Sequence, residues 1–265
     1  PDVIEVLDSA SLNAMDATAI SGFNGSQTAL IQPEAMSGLN ADTFVAFSGN
    51  AIGGLTADHV SNLPSDIFTQ SNGLPNLTAI EQIAALQPEA VAGLSLEHIG
   101  HIPGDAPGPW DPIFEAHEGS DIGAVLTADQ ISNFSNNIVM NHLNSDVIAA
   151  LSPEAASGIS GDVMVSINPE DMSGFTAEHI EALPDDAFSA INDVKLGNLD
   201  PSAMSAFTAE DIDILYSGAS RGLTAEQFEN IPTEALSGFD SDDIDLLRPD
   251  VIEVLDSASL NAMDA

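Results

Sequence analysis

The chain has 265 residues and carries 42 Asp+Glu against three Lys+Arg, a net charge of −39. Lys195, Arg221 and Arg248 are its only strong cations, which excludes nucleic-acid binding through phosphate contacts and disfavours docking on anionic lipid. Cysteine is absent, which removes disulfides, thiolate metal sites and a Cys nucleophile, and no apolar run approaches the ~18 residues a membrane span needs.

Residues 1–17 read PDVIEVLDSASLNAMDA, and residues 249–265 repeat that string without a change, 248 residues later. The expectation is a window of just over one period from a longer repeating polypeptide. Ala265 would then lead into the same Thr-Ala-Ile-Ser-Gly-Phe stretch that Ala17 does, Thr18 to Phe23. A shorter period lies inside the long one. Over the first 63 residues the chain divides into octads such as DATAISGF, QPEAMSGL, NADTFVAF and TADHVSNL. The frame slips by one residue in 64–78, continues shifted through AIEQIAAL, QPEAVAGL and SLEHIGHI to TADQISNF, and slips back in 135–143. From Asn144 the octads run without a gap: NSDVIAAL, SPEAASGI, SGDVMVSI, NPEDMSGF, TAEHIEAL and onward. The two slips cancel, and 248 residues make 31 octads. Residues 1–265 are therefore expected to form one continuous octad array, irregular at 64–78, 103–118 and 135–143.

Each octad spells a helix start. Position 1 is Thr, Ser, Asn, Asp, Gln or Pro, position 2 often Ala or Pro, and position 3 usually an acid. These residues cap a helix, open its first turn and complement its dipole. Apolar residues at positions 5 and 8 share one helical face, and small residues at 6 and 7 let backbones approach at a corner. Eight residues overshoot whole turns by about 80°, so one continuous helix would spiral its apolar stripe away. The predicted fold is all-α: a solenoid of one- to two-turn helices burying positions 5 and 8 against neighbouring octads. The expected core includes Ile180, Leu183, Phe188, Ile191, Ile212, Leu215, Phe228, Ile231, Leu236 and Phe239. A parallel β-solenoid is the alternative, disfavoured because the 5/8 spacing lacks the period-2 alternation of strands. In 103–118, Pro103, Pro107, Pro109 and Pro112 predict a surface loop around Trp110.

The motif Leu55-Thr56-Ala57-Asp58-His59-Val60, like Leu223-Thr224-Ala225-Glu226-Gln227-Phe228, resembles the octapeptide tracts of very large bacterial secreted or surface proteins. The resemblance covers most of the chain apart from 64–78, 103–118 and 135–143. It implies an extracellular or cell-surface location and a structural or adhesive role, and it brings no catalytic residues with it.

No P-loop, GxGxxG, HExxH, GxSxG or EF-hand pattern occurs in the sequence, so no catalytic site and no enzyme are expected. The acids at position 3 suit helix N-termini. Crowded on a narrow rod, they also invite screening or bridging by hard cations. The oxygen-only set Asp240, Asp242, Asp243, Asp245 and Asp250 is the candidate Ca2+ site, with Glu210, Asp211 and Asp213 a second dense cluster. His59, His98 and His179 recur at position 4 beside the acid, which predicts a solvated helix face. Asp111, Glu115, His117 and Glu118 form a candidate site or lateral contact in the proline-rich stretch. The expected function is a repeating segment of an extracellular filament, tube or sheath whose partners are copies of itself. The alternative is a calcium-responsive adhesin with the array as stalk.

Overall fold

The computed structural model describes residues 4–70, 75–95, 97–98 and 110–263. These residues form an all-α structure of α- and 3-10 helices, none longer than the seven residues of Asn136–His142, Trp110–Ala116 and Ser257–Met263. Among the described residues the only extended pairing is one antiparallel bridge, Thr69 to Pro75. The β-solenoid alternative is thereby disfavoured.

The helix starts follow the octad. Asn40, Thr56, Asn144, Ser160, Thr176, Thr208 and Thr224, all at position 1, hold extended backbone angles. Their side chains accept from the N–H three residues on. This satisfies one of the N–H groups that a helix start leaves without a partner. Position 8 ends each unit by returning to extended backbone, as at Phe47 (φ −64°, ψ 140°), Leu183 (−65°, 140°) and Ile231 (−69°, 129°). A turn and a half of helix followed by two extended residues is a corner.

The chain divides into two compact units, 1–125 and 126–265. In the second, each helix packs on the one three octads away. Ser145–Ala150 meets Pro169–Gly174, Ala177–Ala182 meets Pro201–Ala206, and Ala209–Asp213 meets Thr233–Gly238, each pair starting 24 residues apart. The first unit pairs Ser9–Asn13 with Pro33–Gly38 and Ala17–Ser21 with Ala41–Ala46 at that same interval. Two kinds of octad alternate along the chain. One has a strong cap and a larger residue at position 4. The other, such as QPEAMSGL, NPEDMSGF, DPSAMSAF and PTEALSGF, is small at its centre and forms the tighter 3-10 helices Pro33–Gly38, Pro169–Gly174, Pro201–Ala206 and Thr233–Gly238. Because three is odd, stacking every third octad sets a capped octad against a small one. The contact is close: a Cβ on Gly174 would lie 2.4 Å from the Ser145 carbonyl oxygen, and one on Gly238 would lie 2.2 Å from that of Ala209. Glycine is thus required at 174 and 238 by the backbone opposite.

The expected core residues are buried with one exception: Leu215 is half-buried, while Ile180, Phe188, Ile191, Ile212 and Phe239 are among those enclosed. Of the three segments expected to be irregular, 64–78 departs from helix over its described residues 64–70 and 75–76, and Leu77–Gln82 is helical again. There the packing interval widens from 24 to 31, with Ala57–Ser61 meeting Pro88–Val91. The described residues on either side meet there, through the Thr69–Pro75 bridge and the Asn76 N–H bond to the Phe68 carbonyl (2.7 Å). The excess of seven residues over 24 is one octad less a residue, which is the frame slip. The 135–143 expectation is corrected: Ser135 caps a regular helix, Asn136–His142, and the extra residue lengthens it by one. In 103–118 the surface-loop expectation is corrected over Trp110–Ala116, which is helical and buries Trp110 and Ile113. Pro112 sits in its first turn, where the missing N–H costs no helical bond. Residues 103–109 lie outside the described residues.

Candidate functional site

The solvated-face reading of the position-4 histidines is overturned. His59, His98 and His179 are only 2%, 2% and 3% exposed. Each ring bridges two backbones. Nδ1 accepts the N–H of its own cap residue: Thr56 at 3.1 Å, Ser95 at 3.0 Å and Thr176 at 3.2 Å. Nε2 meets the carbonyl of Ile31 (2.7 Å), Leu63 (2.9 Å) and Leu151 (2.8 Å), a position-8 residue 28, 35 and 28 residues earlier in the chain. An N–H can only donate and a carbonyl only accept, so each ring carries its proton on Nε2.

Glutamine performs the same task at the same position. Gln227 accepts from the Thr224 N–H at 2.9 Å and donates to the Leu199 and Leu196 carbonyls at 2.8 and 2.7 Å. Gln82 makes only the donor half, to the Phe47 carbonyl at 2.6 Å and the Val45 carbonyl at 3.0 Å. Lys195, the only lysine, is 4% exposed, and its ammonium donates to the Ile167 carbonyl and to that of Val165 at 3.4 Å. Burial lowers its pKa, since the charged form loses hydration. In unit 2 the rungs from His179, Lys195 and Gln227 each span 28 residues between position 4 and a position-8 carbonyl. The corners leave buried carbonyls with no helical donor, and a buried carbonyl without one costs about 1–3 kcal/mol. Position 4 supplies the donor. In the small octads that position is Ala35, Ala155, Ala187, Ala203 or Ala235, all buried, with the half-buried Asp171 of NPEDMSGF the exception. The sequence signal was available: Thr-x-x-His/Gln is a capping-box spacing, whose fourth residue folds back on the cap instead of facing water.

The candidate metal residues are not drawn together. Asp240 caps Ser241–Leu246, its Oδ1 accepting the N–H groups of Asp242 (2.8 Å) and Asp243 (2.9 Å). Asp243 accepts from the Ser220 hydroxyl and, at 3.4 Å, from the Asp240 N–H. Asp250 pairs with Arg248 at 3.0 Å, while Asp242 and Asp245 face solvent. Asp211 of the second cluster folds back to the Thr208 N–H at 2.8 Å. Among the described residues no three His, Cys, Asp or Glu are grouped to hold a metal, which includes Asp111, Glu115, His117 and Glu118. Three exposed cap aspartates, Asp8, Asp200 and Asp256, are held below the ordinary carboxylate value. Ser11 hydrogen bonds lower Asp8, those of Ser202 lower Asp200, and the Ser259 N–H and hydroxyl lower Asp256.

An open groove of about 750 Å³ beside Lys195 is bordered by Asp162, Val165, Asp186, Asp193 and Tyr216, so its rim is acidic while the lysine is committed to carbonyls. No described helix is long and apolar enough to cross a membrane. Compared with known proteins, the chain matches no family model and no curated protein.

Proposed function

We propose that this chain is a structural protein, a segment of a helical solenoid that builds an extracellular filament, tube or sheath from copies of itself. The observation that carries the reading is the regular packing of octad on octad at 24 residues within each unit, with position-4 side chains tying one coil to the next. Such packing has no natural stopping point, because every coil offers the next the face it received from the last. The identical segments 1–17 and 249–265, 31 octads apart, support continuation in register. The resemblance of the L-T-A-x-x-I/V motif to octapeptide tracts supports the secreted or surface setting. A net charge of −39 keeps such rods apart and soluble unless counterions screen them. Helices stacked at about 8–10 Å give that axial step per 24-residue coil. Cryo-electron microscopy of native material tests this: filaments with that step are expected, and a chain found only as dispersed monomers in its native setting refutes it.

A further inference from the structure

The structure holds one sequence in two environments. Segment 8–13 and its duplicate 256–261 have the same residues, and each forms a short helix begun by an aspartate, Asp8 or Asp256. The first packs on the coil that comes after it, Pro33–Gly38; the second packs on the coil that precedes it, Thr233–Gly238. Their exposures are complementary. Leu12 is 0% exposed and its duplicate Leu260 is 54% exposed. Ser9 and Asn13 are half-covered, whereas Ser257 and Asn261 are open. On the opposite face the order reverses: Val6 is 76% exposed and its duplicate Val254 is half-covered.

We propose that the face formed by Ser257, Leu260 and Asn261 is a docking surface for segment 33–40 of a second copy of this sequence. The occupant is specified by the chain's own duplicate, which shows what covers these residues when the next coil is present. Asn13 donates its Nδ2 to the Gly38 carbonyl at 2.8 Å and accepts the Asn40 N–H on Oδ1 at 3.1 Å. Leu12 is enclosed beside them, and Gly38 leaves room for Ser9, whose Oγ lies 2.6 Å from where a Cβ would stand. Asn261, Leu260 and Ser257 would make those same contacts across two copies. In this chain, segment 8–13 already occupies the 33–40 surface, so a second copy enters only by displacing it. Being tethered, the resident segment has the higher effective concentration. The duplicate thus acts as an intramolecular plug, and removing it opens the head-to-tail joint.

The docking surface deepens the structural reading, and the two fail separately. The test uses the full chain, with Leu12→Asp to eject the plug, and light scattering coupled to size exclusion over a range of concentrations. The wild type and Leu260→Asp are expected to be monomeric, Leu12→Asp to form concentration-dependent oligomers, and Leu12→Asp/Leu260→Asp to return to monomer. A fluorescent peptide of residues 249–265 is expected to bind Leu12→Asp and not the wild type, and the peptide carrying Leu260→Asp is expected to bind neither. If Leu12→Asp loses helical circular dichroism beyond its first coil, Leu12→Ala with the same peptide replaces it. A folded variant that stays monomeric and ignores the peptide overturns the docking surface, while native filaments would still sustain the array. Oligomers that survive Leu260→Asp overturn it as well.

Discussion

His179→Leu probes the position-4 ladder with little change in size. The substitution strips the Leu151 carbonyl of its donor at 2.8 Å and the Thr176 N–H of its acceptor at 3.2 Å. Two groups left unsatisfied cost about 1–3 kcal/mol each, toward the lower end for the part-buried N–H. The added apolar burial returns roughly 1–2 kcal/mol, so a net loss of about 2–3 kcal/mol is expected. At about 2–4 °C per kcal/mol for a chain of this size, the melting temperature should fall by roughly 4–12 °C. His179→Gln is the control, because Gln227 already makes both bonds from that position. It should stay within about 1 kcal/mol of wild type. Urea titrations followed by circular dichroism read both variants. Equal destabilisation by Leu and Gln, or a neutral Leu variant, would refute the argument that the polar bridge matters and leave only ring packing.

Glycine packing gives a second contrast. Gly238→Ala drives a Cβ to 2.2 Å from the Ala209 carbonyl oxygen and should cost at least about 1–3 kcal/mol, whereas Gly49→Ala meets nothing nearer than 3.6 Å and should be neutral or slightly stabilising in thermal melts. Thr224→Ala removes a cap bond at 3.2 Å and should cost about 1 kcal/mol in the same melts. Lys195 sets an alkaline dependence. Its folded pKa is depressed below 10.5, so the unfolded chain binds the extra proton between the two values, and stability should rise with pH across that window. Lys195→Met should abolish the rise, as melts across that window would show; an unchanged slope would place its cause elsewhere. For the acids, a divalent ion would have to pull Asp240 from two N–H groups and Asp250 from Arg248. Calcium is therefore expected to raise the melting temperature no more than sodium chloride of matched ionic strength, and a specific increment would restore the metal site.

The sequence alone determined what depends on neighbours along the chain. A Thr, Ser or Asn at position 1 caps the helix of its own octad, and the frame slip in 64–78 marks where the regular interval breaks; both can be read without knowing what lies opposite. Positions 5 and 8 announce the core because burial of Ile180 or Phe239 needs only an apolar partner, not a particular one. Tertiary structure alone decided what depends on residues three octads away. Whether an octad packs on the third octad along the chain or on some other is set by backbone angles between octads that no single octad encodes. That interval in turn fixes which carbonyl His179 reaches and why Gly174 must lack a Cβ. The same holds for the acids: at position 3 or 4 they look alike in sequence, but Asp243 is claimed by Ser220, 23 residues back, while Asp242 is left to solvent. Position 4 misleads for that reason. Beside an acid and polar itself, it has the local signature of a wet surface. Only the octad packed against it, with a carbonyl that no helix satisfies, turns it inward.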